Sequence, residues 1–98
     1  MARTLEWKVR MFLSEEDGTT KARVDLETGS TTLTGHGTAR CNPQDPDVPE
    51  IGDELAASRA MSDLARKLMR VADRDLESVG AGPASAVPAP YGWPEPGR

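Results

Sequence analysis

The residues predict an α+β fold, a three-stranded antiparallel meander followed by one long C-terminal helix. Three observations carry that prediction. Three segments between Leu5 and Arg40 alternate apolar and polar side chains with the period of two that marks half-buried strands. The connections between them are short, which suits antiparallel neighbours. Beyond a proline-punctuated loop, apolar residues recur at helical spacing as far as Val79.

The first strand is read from Leu5, Trp7, Val9, Met11 and Leu13, which alternate with Glu6, Lys8, Arg10 and Phe12. The polar run Ser14 to Thr19, with Gly18 inside it, is expected to turn the chain. Ala22, Val24 and Leu26, between Lys21, Arg23, Asp25 and Glu27, make the second strand. Thr28-Gly29-Ser30 supplies a tight turn, where glycine accepts backbone angles that other residues resist. In the third strand Leu33, Gly35, Gly37 and Ala39 share one face. Thr32, Thr34, His36, Thr38 and Arg40 share the other.

Three prolines between Asn42 and Pro49 forbid a continuing strand. Asp47 and Glu50 stand at capping-box spacing, with Asp in place of the usual Ser or Thr. From there Ala57, Met61, Leu64, Leu68, Val71 and Ala72 form one apolar stripe. Gly80 and Pro83 are the stop signals. A break near Asp73 is an alternative, since Asp73 suits the cap of a short second helix. A sheet with one apolar face and a helix with one apolar stripe cover each other. On that packing Gly35 and Gly37 let the helix approach the third strand closely, and Trp7 fills space on the first.

The expected organisation is one domain over residues 1–79 and a tail over residues 80–98. Five of the eight prolines fall in the tail, whose composition reads as disordered or polyproline-like, with Tyr91 and Trp93 as its large side chains. The single Cys41 rules out an intrachain disulfide framework. The sequence shows neither a membrane-spanning run nor a signal peptide, which leaves the cytoplasm as the expected compartment. The formal net charge is −4. Met1 to Cys41 balances six basic against six acidic residues, whereas Asn42 to Val79 holds nine acidic and five basic. An acidic chain lacks the long-range attraction on which most nucleic-acid binders rely.

No catalytic constellation is legible, and a non-enzyme is expected, with no cofactor and no small-molecule substrate. Gly35-His36-Gly37 lacks the third glycine of a phosphate loop and does not open a helix. His36 and Cys41 lie roughly 16 Å apart along an extended strand, too far for a dyad or a zinc site. The acids Asp45, Asp47, Glu50, Asp53 and Glu54 lack calcium-loop spacing and suit the start of a helix. Arg59, Arg66, Lys67, Arg70 and Arg74 form a basic strip on the helix face opposite the core. It reads first as a solvated face and second as a contact for RNA or other phosphates. On the open sheet face, Phe12 and His36 fall short of the aromatic platform of single-strand binders.

Ile51, Leu55, Met69 and Leu76 form a second apolar flank beside the core stripe. A helix of nearly thirty residues runs roughly 40 Å, longer than a ten-residue strand at roughly 33 Å. Together with the small core, these features suggest a homodimer with that flank as its contact.

The run LTGHGTARCNPQDPDVPEIGDELAASRAMSDLARKL, with TTKARVDL before it, closely resembles the small actinobacterial family called domain of unknown function 1876. The resemblance covers about four-fifths of the chain. Its most specific parts are the G-x-G-x-A-R strand, the proline loop, E-I-G-D-E-L and A-x-S-D-L. It implies a β-β-β-α fold like part of a double-stranded-RNA-binding domain (dsRBD-like), and a homodimer. It further implies a shape similar to ribosome hibernation-promoting factors, and association with dormancy and low-oxygen stress. It supplies no catalytic residues. Two function classes follow: a non-catalytic, homodimeric stress protein that touches the ribosome or its rRNA, or a protein-interaction module using its open sheet face or tail.

Overall fold

The computed structural model describes residues 2–42, 44, 46 and 48–80. Four elements follow in order: β1 (Lys8–Glu16), β2 (Thr19–Glu27), β3 (Thr32–Arg40) and α1 (Pro49–Ser78). The sheet is antiparallel, with strand order β1-β2-β3. The predicted α+β architecture is therefore the observed one.

The first turn is tighter than the polar run Ser14 to Thr19 implies. Pairing continues to Glu16↔Thr19, which leaves only Asp17 and Gly18 between the strands. Both have positive φ, 53° and 74°. An Asp-Gly pair in the left-handed region is the two-residue turn whose twist matches that of the flanking strands. Turn chemistry thus outweighs polarity, and Ser14, Glu15 and Glu16 remain in β1. At the other hairpin, Thr28 closes the loop: its N–H donates to the Thr31 carbonyl at 2.9 Å, and its hydroxyl accepts the Thr31 N–H at 3.0 Å.

The register lays out the inner face in rows, because directly paired residues share a face. Leu13, Ala22 and Gly37 form one row; Met11, Val24 and Gly35 the next; Val9, Leu26 and Leu33 the third. Across this face the helix meets β3. A methyl group at Gly37 would fall on the backbone of Ala56, Arg59 and Ala60, and one at Gly35 on Ala60 and Leu64. The glycines expected to permit close approach do so, and α1 answers them with alanines. The buried core is small: Ala22, Val24, Leu26, Ala39, Ala56, Ala60 and Leu64.

This contact rotates the buried stripe from the one read in the sequence. Ala57 is half-buried and Met61 is half exposed, whereas Ala56 and Ala60 are fully buried. The physical reason is spacing. A helix whose backbone nearly touches a strand has room only for alanine between them, so the larger Met61 is set aside. Trp7 likewise does not fill space under the helix, since 46% of it is exposed.

The chain divides into two compact units, Met1–Lys67 and Leu68–Arg98. In the second, α1 is helical from Leu68 to Ser78, so the break considered near Asp73 is absent. Gly80 ends it with φ of 84° and its N–H on the Glu77 carbonyl, as the stop signal predicts. At the other end Pro49 occupies the first helical position, where a missing N–H costs nothing. The Ile51 N–H reaches the Val48 carbonyl at 3.0 Å. The capping role expected of Asp47 and the character expected of the tail lie outside the described residues.

Candidate functional site

Within the first unit, α1 presents three rows at i,i+4 spacing. Gly52, Ala56, Ala60 and Leu64 face the sheet; Gly52 abuts the buried Thr20, whose hydroxyl oxygen lies 3.0 Å from where a Cβ would stand. The row one residue earlier, Arg59, Asp63 and Lys67, reaches over the free edge of β3. Arg59 donates to the Thr38 carbonyl at 2.8 Å, and Lys67 donates to the Thr34 carbonyl at 2.7 Å. The His36 N–H donates to the Asp63 carboxylate at 2.9 Å. These are alternate residues of β3, the ones whose backbone groups point away from β2. One helical row therefore occupies the outer edge of β3 and blocks it against further strand pairing.

Asp63 is the hub of that row. It also bonds Lys67 at 3.2 Å and Arg66 at 3.6 Å. The His36 N–H first, then the Lys67 hydrogen bond, hold its carboxyl below the usual carboxylate range; burial opposes the shift, and the charges of Lys67 and Arg66 add to it.

The row on the other side, Asp53, Ala57, Met61 and Ala65, sits about 100° around the helix and turns toward β1. Here no described residue closes the core. Val9 is 53% exposed and Leu13 is 46% exposed, although both belong to the inner rows that hold Ala22 and Leu26 under the helix. Met61, in the α1 row on this side, is 50% exposed, and Leu5 and Trp7 extend the alternation ahead of β1. One helix seated over β3 does not span three strands. The result is an apolar trough floored by β1, continuous with the core and open on one side. Fully covering Val9 and Leu13 would contribute about 1 kcal/mol each, half the value for a wholly exposed side chain.

The structure redistributes the residues singled out in the sequence. Arg59 and Lys67 lie against the β3 edge rather than opposite the core, and Arg66 pairs with Asp63. Arg70 and Arg74 belong to the helical part of the second unit. Of the four expected dimer contacts, Ile51 and Leu55 are exposed in the first unit and line a cavity of about 340 Å³ with Thr20, Ala39, Cys41 and Val48. Met69 is exposed in the second unit, and Leu76 there is partly exposed. His36 and Cys41 are not brought together: the Cys41 thiol turns to the carbonyls of Asn42 and Pro46.

On the outer face, Phe12, Arg23 and His36 form one cross-strand row. The Arg23 guanidinium stands 4.5 Å from the Phe12 ring centre, and that of Arg10 stands 5.5 Å away. Asp25 steadies Arg23 at 3.4 Å and accepts the Thr34 hydroxyl at 3.1 Å. Among the described residues no group of three or more His, Cys, Asp or Glu is placed to hold a metal ion. No described helix is long and apolar enough to cross a membrane.

A family model described as Rv2632c-like matches residues 5–85. The chain is similar to two uncharacterized proteins of Mycobacterium tuberculosis. With MT1780, of strain CDC 1551 / Oshkosh, it is 44% identical over 78 residues, covering 80% of this chain and 83% of that one. With Rv2632c, of strain ATCC 25618 / H37Rv, it is 35% identical over 80 residues, covering 82% and 86%. The crystal structure of Rv2632c superposes with a TM-score of 0.75 at 34% sequence identity, over 84% of this chain and 98% of that chain.

Proposed function

The chain belongs to the Rv2632c-like family, and we propose that it works as a non-catalytic, homodimeric interaction protein of the cytoplasm. The observation that carries this reading is the half-covered core. Val9, Leu13 and Met61 are apolar and open to solvent, beside a small core in which four of the seven buried apolar side chains among the described residues are alanine. A domain of this size does not leave a third of its sheet bare without cost. A second copy supplies the missing cover. This reading puts the contact at the trough over β1, whereas the sequence alone suggests the helix flank of Ile51, Leu55, Met69 and Leu76.

The test is the mass in solution. Light scattering at micromolar concentration should give twice the chain mass. Val9→Asp with Leu13→Asp should halve that mass and leave the far-ultraviolet spectrum of a folded chain. A parent protein of single-chain mass contradicts the reading.

The dormancy and ribosome association implied by the resemblance is a second reading. What favours it is Phe12 held between two guanidinium groups on the outer sheet face, a surface on which a base could stack. The helix strip supports it less, because Arg59 and Lys67 brace β3. On this reading the protein co-sediments with ribosomes at low salt. Arg10→Glu with Arg23→Glu abolishes that association, and Arg66→Glu, Arg70→Glu and Arg74→Glu weaken it. No co-sedimentation at low salt would dismiss it.

A further inference from the structure

The turn end of the sheet carries a cavity that the β3 edge and the trough do not use. A fourth inner row stands there: Glu15, Thr20 and Ala39, one step beyond the row of Leu13. Gly52 of α1 abuts Thr20, and Ile51 and Leu55 flank it. Cys41, Pro46 and Val48 form the end wall. The space between them is about 340 Å³, large enough for a small molecule. Sites for such molecules are mostly apolar, with a few convergent polar groups.

Thr20 supplies the first of those groups. It is only 3% exposed, it lines the cavity, and its hydroxyl has no hydrogen-bond partner among the described residues. Buried polar groups are nearly always partnered, and a valine here would keep the shape without burying a hydroxyl. Gly52 keeps the place open, because a Cβ there would stand 3.0 Å from the Thr20 oxygen.

The remaining polar groups are acceptors. Glu15 is the one charged side chain of its row. Arg40, the neighbour of Ala39, alternates to the outer face with Glu16 and Thr19. The Cys41 thiol donates to the carbonyls of Asn42 and Pro46, at 3.5 and 3.9 Å, so two carbonyl oxygens gather at the end wall. Donors are already engaged. The Cys41 N–H goes to the Gly18 carbonyl at 2.8 Å, and the Ile51 N–H to the Val48 carbonyl at 3.0 Å. Pro49, at the start of α1, has no N–H to offer. A cavity bordered in this way selects a ligand that donates.

We propose that this cavity binds a small apolar amine. Its ammonium group donates to the Glu15 carboxylate and to the Thr20 hydroxyl oxygen, and its hydrocarbon body lies against Ala39, Val48, Ile51 and Leu55. An ammonium carries three donors and no acceptor, and its hydrogen bond to a carboxylate is stronger than one between neutral groups. A carboxylate on the same hydrocarbon body meets Glu15 as a like charge, so the site discriminates by the sign of the head group.

The probe is 2-phenylethylamine, with 3-phenylpropanoate as its anionic counterpart. Binding is followed by the amide resonances of the protein and by the alkylation rate of Cys41, its only cysteine. The amine should shift the Thr20, Ala39 and Gly52 amides saturably and slow the alkylation; the acid should do neither. Glu15→Gln should weaken the amine about tenfold, the loss of one charge-assisted hydrogen bond. Thr20→Val should weaken it as well. Equal binding of amine and acid overturns the proposal, and so does a saturable shift confined to other residues. An affinity unchanged in both variants, or no saturable shift in the millimolar range, also overturns it. If Thr20→Val fails to fold, Glu15→Gln, at an exposed position, decides alone.

Discussion

Replacing Gly37 by alanine adds a single methyl group, and the structure says what that methyl meets. Its neighbours would be the Ala56 carbonyl oxygen, the Ala60 nitrogen and the Arg59 carbonyl carbon, all of them backbone. Side chains relax by changing rotamer; a helix backbone relaxes only by moving as a body. The displacement also loosens Ala56, Ala60 and Leu64, which are the helix's whole buried share of the core. Overpacking a core costs about 1–3 kcal/mol, and the rigidity of these neighbours places alanine near about 3 kcal/mol. Valine should cost more, because its strand preference returns at most about 1 kcal/mol. At about 4–8 °C per kcal/mol for a domain this small, Gly37→Ala should lower the melting temperature by more than about 10 °C. Gly29→Ala is the internal control: no heavy atom lies within 4 Å of its added methyl, and it should stay within about 0.5 kcal/mol of the parent. Thermal and urea denaturation followed by circular dichroism, at equal protein concentration, measure both. A Gly37→Ala protein melting within about 2 °C of the parent would refute the packing of α1 on β3.

Asp63→Asn removes a carboxylate whose ionised form the fold stabilises. Because the folded pKa is lowered, that stabilisation is full above the ordinary carboxylate range and is lost as pH falls through the folded value. The parent should therefore lose stability on acidification below about pH 4 more steeply than the variant; parallel curves would count against the edge-bracing role of Asp63. Arg59→Ala with Lys67→Ala should uncover β3 and raise turbidity on mild heating while the core stays folded, and an unchanged aggregation onset would show that these side chains do not guard the edge.

The strands, the helix and the role of Gly35 and Gly37 were legible because each rests on local pattern. Alternation marks a strand whatever it packs against, and two glycines on an inward face already imply close approach. What the local pattern does not carry depends on where the helix sits across the sheet. The stripe through Ala57 and Met61 is the more hydrophobic choice, yet the glycines draw in Ala56 and Ala60 instead, because distance rather than hydrophobicity selects the contact there. The same offset leaves Val9 and Leu13 bare. One signal for this was present: α1 is a single helix about 10–12 Å across, whereas three strands about 4.8 Å apart need wider cover. The bracing of β3 by Arg59, Asp63 and Lys67 is not legible, because a basic-acidic-basic row at i,i+4 spacing looks the same in sequence whether it faces water or a strand edge. The polar residues before it obscure the Asp17-Gly18 turn, since they belong to the exposed strand β1.

The measurement that bears most directly on the account is residue-resolved amide hydrogen exchange along β1. Arg10, Phe12 and Ser14 direct their N–H groups to β2 and should be protected in any folded chain. Val9, Met11, Leu13 and Glu15 direct theirs to the free edge. If a second copy covers β1, as the reading of the trough as the dimer surface requires, these four amides exchange slowly as well, and their protection weakens as the protein is diluted toward single chains. Slow exchange at Arg10 and Phe12 beside fast, concentration-independent exchange at Met11 and Leu13 would show the edge standing open and would contradict the account.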